Sequence, residues 1–188
     1  MLKFLINFFM RNIITAIDIG TNSVTTLVCE RTGKEKIRVL GVGRVPAFGM
    51  RRGVVADIDE VSSAVKKSLK EAERSSSVKI KSVIASIGGT HMGSLMSRGV
   101  VAVGRADGEI SDDDVKRVLT AAENLAPKNP NRDIIHIIPK EFRIDNEGGI
   151  KDPVGMVGIR LEADTIIIDG LRSAVASLIK CIESSGVT

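Results

Sequence analysis

One short segment holds the residues best suited to chemistry: Asp18, Gly20, Thr21, Asn22 and Ser23. An apolar run from Ile13 to Ile19 carries the acid near its end. A Gly-Thr-Asn-Ser turn follows, and a second apolar run leaves it from Val24 to Cys29. Two apolar runs joined in this way read as a β-hairpin. Gly20 lets the backbone come close to an anion, because no Cβ is in the way. Successive N–H groups in a turn form an anion-binding concavity, and Thr21, Asn22 and Ser23 add side-chain donors. Asp18 would repel a phosphate directly, so Mg²⁺ or a water bound to it is the natural bridge. The pattern therefore suits a magnesium-bound polyphosphate. It equally suits an ordinary hairpin, whose turns are polar in any case. No Walker loop ending in Gly-Lys-Ser/Thr is present, and Ile-Gly separates Asp18 from Thr21, unlike the Asp-Thr-Gly of aspartic proteases.

The elements that must position this turn follow from periodicity. Strands are expected over Ile13–Ile19, Val24–Glu30 and Ile37–Val45, with a turn at Thr32-Gly33-Lys34. Arg51-Arg52-Gly53 reads as a loop with solvated arginines. Asp57 and Glu60 have capping-box spacing, and Ile58, Val61, Val65, Leu69 and Ala72 mark one face of the helix they open. Lys81–Ile87 is a further strand, closed by Gly88-Gly89. Beyond it come a strand over Ser97–Gly104 and a helix capped by Ser111, with Asp112, Asp113 and Asp114 in its first turn as a solvated acidic face. A strand over Ile134–Ile144 follows, where Pro139 predicts an edge or a bulge. A turn at Asn146–Gly149, a strand over Ile159–Ile168 and a helix from about Leu171 to Ser184 complete the chain.

Composition narrows the function. The 188 residues include 43% hydrophobic and 27% charged side chains, an ordinary globular balance. There is no Trp or Tyr and only five Phe, which disfavours stacking on single-stranded nucleic acid, and a net charge of +4 is modest. No nucleic-acid partner is expected. Cys29 and Cys181 read as separate reduced thiols in apolar elements. His91 and His136 have no companions at ligand spacing, and Met156 suits either a core or an exposed contact. Residues 1–12 are strongly apolar, with Lys3, Asn7 and Arg11 on one stripe. They are too short to cross a bilayer, which takes roughly 20 residues, so they read as an interfacial anchor, a tail packed on the domain, or the product of an upstream start codon.

The phosphate motif resembles the first such motif of the actin/Hsp70/sugar-kinase superfamily. From Ile13 onward the chain resembles the FtsA family of actin-like bacterial cell-division proteins. The matching blocks are Asp18–Ser23, Gly41-Val-Gly43, Arg51–Ile58, Ile84–Gly89 and Ser97–Ala102. The most discriminating are Ile138-Pro-Lys-Glu-Phe142 and Ile150–Glu162. The resemblance implies an α/β fold, an actin-like (ribonuclease H-like) half with a small inserted strand-helix-strand-strand module. Residues 13–83 would form the first part of subdomain 1A. Residues 84–168 would form the inserted 1C (SHS2-like) subdomain, and 169–188 would return to 1A. It implies ATP and Mg²⁺ as cofactors, held by Asp18, Gly20, Thr21, Asn22 and Ser23, with Asp18 meeting the metal through water. It also implies self-association into filaments, linkage of FtsZ filaments to the inner face of the cytoplasmic membrane, and recruitment of later division proteins through 1C. A scaffold role is expected, with at most weak ATPase activity and no identifiable catalytic residue. The FtsZ-tail site, the second phosphate motif and the membrane-targeting helix are expected beyond Thr188, so this chain should bind nucleotide weakly. A pilus-assembly or chaperone-like relative and a sugar kinase are the alternatives. Ile150–Glu162 argues against the kinase.

Overall fold

A computed structural model describes residues 12–33 and 36–188. The apolar segment read as an anchor or tail therefore lies, up to residue 11, outside the described residues, as does Lys34 of the expected turn. The chain divides into two compact units, Met1–His91 with Ser173–Thr188, and Met92–Arg172. The sequence reading began the inserted module at 84.

The first unit is built on a sheet of four strands: β1 (Ile13–Ile19), β2 (Ser23–Arg31), β3 (Ile37–Pro46) and β6 (Ile84–Ala85). Their order is β3-β2-β1-β6. β1 and β2 form the hairpin the sequence indicates, with Ile17 opposite Thr26 and Asp18 opposite Thr25. Period-two alternation sends Ile17, Ile19, Val24 and Val28 to one buried face. That face meets α1 (Ile58–Ser76), which buries Val61, Ala64, Val65, Leu69 and Ala72. The last helix of the chain, α3 (Arg172–Glu183), adds Leu178, Cys181 and Ile182 to the same core. Gly43 brings α1 close to β3: a Cβ there would lie 2.0 Å from the Ser68 carbonyl oxygen. Inside this contact Thr26 and Ser68 share a hydrogen bond of 2.7 Å, and Ser68 Oγ donates to the Gly43 carbonyl.

Several local expectations change. Asp57 caps α1 by accepting from Glu60 N–H, but its own N–H donates to Gly49 O, so half of the capping box is replaced by a loop contact. Arg51–Gly53 is not an open loop. β4 (Met50–Arg51) and β5 (Val54–Val55) pair around Arg52-Gly53, whose φ values of 52° and 79° make a primed hairpin turn. Of the apolar run Lys81–Ile87, only Ile84–Ala85 pairs, in parallel with β1. Cys29 is half-buried, while Cys181 is buried.

The second unit is an antiparallel sheet in the order β7-β10-β8-β9, covered on one face by α2 (Asp112–Leu125). The strands are β7 (Met92–Ala102), β8 (Arg132–Ile144), β9 (Glu147–Ile150) and β10 (Arg160–Leu171). Val118 of α2 clusters with the buried Phe142, Leu161 and Ala163 of the sheet, and Ala122 and Ile167 are buried as well. Pro139 sits at a register shift against β10, so the bulge expected there is present. The turn after β8 is Asp145-Asn146, both left-handed, and Glu147–Ile150 pairs as a strand instead of forming the turn. Asp114 is buried rather than solvated. With Ser111 it completes a capping box, and it also accepts from Gly104 N–H and pairs with Arg117. These donors hold its carboxyl well below the usual carboxylate range. Met156 is 44% exposed, so it is not a core residue. His136 is exposed on the sheet face away from α2, and His91 is buried.

Candidate functional site

β1 delivers Asp18 to the end of the first sheet, and the chain turns back immediately. The Gly20 N–H donates to the Ser23 carbonyl at 3.0 Å, which closes the turn. The Ala47 N–H donates to the Asn22 carbonyl at 3.0 Å and ties the end of β3 to the same turn. A Cβ on Gly20 would stand 3.1 Å from Ser23 O and 3.7 Å from Asp18 Oδ2, so a side chain here would crowd the space between acid and turn. Asp18 is exposed, and its Oδ1 accepts from Ser86 Oγ at 2.5 Å. Ser86 is in reach because β6 runs parallel beside β1, with the Ser86 N–H bonded to Ile17 O at 2.9 Å.

Two glycine loops frame the opposite side. The Arg52-Gly53 turn rests on Gly88-Gly89, where a Cβ on Gly53 would fall 2.5 Å from Gly89 Cα. Thr90 N–H donates to Arg52 O across the same approach. Together these segments enclose a concavity of about 280 Å³, lined by Asp18, Gly20, Thr21, Met50, Gly53, Ser86 and Gly88, with Ile19, Ile87 and Leu178 behind. Ligand sites usually exceed roughly 300 Å³, so this space matches part of a ligand, such as a phosphate tail.

Of the five residues singled out in the sequence, Asp18, Gly20 and Thr21 line the concavity. Asn22 and Ser23 belong to the turn but do not line it. Ser86, Gly53 and Gly88 escape a sequence reading, because only strand order reveals that β6 and the β4–β5 hairpin reach the tip of β1. The residues fit a magnesium polyphosphate on one wall: an exposed carboxylate steadied by a neutral hydroxyl, beside a turn that glycine keeps open. Asp18 is the only charged lining residue, and among the described residues no cluster of three acidic, His or Cys side chains suggests a metal cage. The chemistry on offer is therefore orientation of a hydrated cation, with the cation's partner anion supplied by a ligand.

A larger concavity of about 610 Å³ lies in the second unit, between the end of α2, the start of β8 and the end of β10. Two of its cations are committed to acids, Arg132 to Asp169 at 2.7 Å and Arg172 to Asp133 at 2.8 Å. It contains none of the phosphate-motif residues.

The family described as the SHS2 domain inserted in FTSA matches residues 89–169. The chain is 35% identical over 176 residues to the cell division protein FtsA of Borreliella burgdorferi, covering 94% of this chain and 42% of that protein. It is 33% identical to FtsA of Bacillus subtilis (92% of this chain, 39% of that protein) and 30% identical to FtsA of Escherichia coli (94% and 41%). The chain thus spans about two fifths of the curated relatives it matches. Among solved structures, a chain of the PilM–PilN type IV pilus biogenesis complex superposes with a TM-score of 0.61 at 13% identity, over 95% of this chain and 46% of that one. That likeness concerns the fold alone. In sequence the chain is similar to the FtsA proteins over nearly its whole length, and residues 89–169 match the SHS2 domain inserted in that family.

Proposed function

We propose that this chain is a nucleotide-responsive scaffold of bacterial cell division, with the concavity at the β1–β2 turn receiving the phosphate tail of Mg·ATP. Thr21 and the open turn meet the phosphates. Asp18, steadied by Ser86, orients a water of the magnesium shell, and the metal supplies charge neutralisation for the tail. The observation that carries this reading is the meeting of Asp18, Gly20 and Thr21 with Gly53, Ser86 and Gly88 around one concavity. The FtsA relatives support the division role. By the same kinship, self-association, linkage of FtsZ filaments to the cytoplasmic membrane and recruitment of later division proteins are the roles we propose for the whole protein. The SHS2 unit would be the docking module.

Because the concavity presents one wall, affinity in this chain is weak, on the order of millimolar. Titration followed by amide chemical shifts tests this. Mg·ATP moves Gly20 and Thr21 saturably, ATP with EDTA moves them several-fold less, and Asp18→Ala abolishes the magnesium dependence. Equal responses with and without magnesium, or micromolar affinity unaffected by Asp18→Ala, would overturn the reading.

A further inference from the structure

The Arg52-Gly53 turn costs more than folding alone requires. A two-residue hairpin with both residues at positive φ prefers Asn-Gly or Gly-Gly. Here the first place is taken by arginine at φ 52°, a conformation that L side chains other than Asn and Asp rarely adopt. Gly53 is needed where it is, because Gly89 leaves no room for a Cβ. Among the described residues no side-chain hydrogen bond or ion pair requires arginine at 52. Its backbone carbonyl takes the bond from Thr90, a role any residue fills. Residues held in sparsely populated backbone regions are often retained for function.

Its position suggests what that function is. The concavity holds one charged side chain, the acid Asp18, and no cation. A magnesium polyphosphate keeps net negative charge, so a site for it lacks a positive partner. Arg51 and Arg52 lie between Met50 and Gly53, both of which line the concavity. Strand alternation turns Arg51 to the side opposite Met50, and Arg52 immediately precedes the lining residue Gly53 in the turn. Both side chains are exposed, and neither forms an ion pair among the described residues. An arginine in this place can present a planar fork to phosphate oxygens.

We propose that Arg52 is a phosphate-contacting residue that selects for the terminal phosphates of the nucleotide, the β4–β5 turn serving as a short rigid arm that places it over the Asp18–Thr21 wall. This rests on the nucleotide reading above. The substitutions Arg52→Gly and Arg52→Asn test it cleanly, since both suit the turn better than arginine and so leave folding intact or improved. Titration with Mg·ATP should weaken about tenfold in either variant, while binding of AMP changes less than about twofold. Arg52→Lys should stay within about threefold of the natural protein, and Arg51→Ala should leave binding unchanged. Raised salt should weaken Mg·ATP binding to the natural protein more than to Arg52→Gly. Unaltered Mg·ATP affinity in Arg52→Gly, with Asp18→Ala still harmful, would overturn the role of Arg52 and leave the site standing. If Asp18→Ala is also without effect, the site itself falls with it.

Discussion

The two units solve one packing problem in the same way and then spend their polar groups differently. Each lays a helix directly on strand glycine. A Cβ on Gly43 would sit 2.0 Å from Ser68 O of α1, and a Cβ on Gly99 would sit 2.0 Å from Val118 O of α2. In the second unit the charges satisfy one another. Arg98 pairs with Asp164 at 2.5 Å, Arg143 reaches Asp164 and Glu141, Arg160 bonds Glu162, and Asp114 is saturated by Ser111, Gly104 and Arg117. In the first unit the ion pairs recorded among the described residues are Arg38–Glu30 and Lys79–Glu73, both away from the tip of β1. There Asp18, Arg51 and Arg52 form no ion pair among the described residues. A scaffold unit is stabilised by closing its electrostatics internally, whereas a ligand unit must leave some of them open.

Breaking the shared device should have the largest effect. Gly43→Val and Gly99→Val each force a helix off its sheet and should cost about 3 kcal/mol or more, read from denaturant midpoints. Hydrogen-exchange protection should fall first in the substituted unit. If either variant unfolds at the natural midpoint, helix contact at that glycine is not what the fold depends on.

The contrast in electrostatics predicts the next effect. Asp114→Asn keeps the shape but removes the buried charge that Ser111, Gly104 and Arg117 surround, which should cost about 2 kcal/mol. Acid should discriminate the units in the same direction. Asp114, Asp164 and Asp169 all titrate below their ordinary range, chiefly through the hydroxyl and guanidinium groups bonded to them. Their folded values lie below the unfolded ones. The stability they add is therefore complete above the unfolded value of about 4 and is lost as pH falls through the folded values. In the first unit Glu73 is lowered in the same sense, mainly by the Ile80 N–H. Between about pH 4 and pH 2 the second unit should lose amide protection before the first, and simultaneous loss would contradict the contrast.

Smaller effects sharpen the comparison. Thr26→Val removes one partner of the buried Thr26–Ser68 bond in the first unit and should cost about 1 kcal/mol, since Ser68 retains Gly43 O. Arg98→Ala deletes a half-exposed ion pair of the second unit and should lower the thermal midpoint less than Thr26→Val does. A cost above that of Thr26→Val would show the surface network to be more than the sum of exposed pairs.

Much of this was legible in the sequence because period-two and 3.6 patterns act locally. The β1–β2 hairpin, the stripe of α1, the Ser111 cap and the bulge at Pro139 all follow from neighbours in the chain. Three features did not. Arg52-Gly53 lacks the asparagine that marks a primed turn, so it looked like a loop. The acidic run 112–114 hid one buried member, because burial of Asp114 depends on Gly104 and Arg117 arriving from elsewhere. Ser86 and Gly88 join the site through a parallel pairing between residues about 70 positions apart, which periodicity cannot register. The Gly20–Ser23 turn was readable in the sequence, but the far wall of the concavity was a matter of topology.

The central claim is that the tip of β1 is where ligand chemistry happens. Two-dimensional amide spectra of the protein, titrated with Mg·ATP, test it most directly. The account predicts saturable shifts clustered at Gly20, Thr21, Gly53, Ser86 and Gly88, with the second unit silent. Shifts centred on the concavity at the end of α2, or none at the β1–β2 turn at saturating nucleotide, would contradict it.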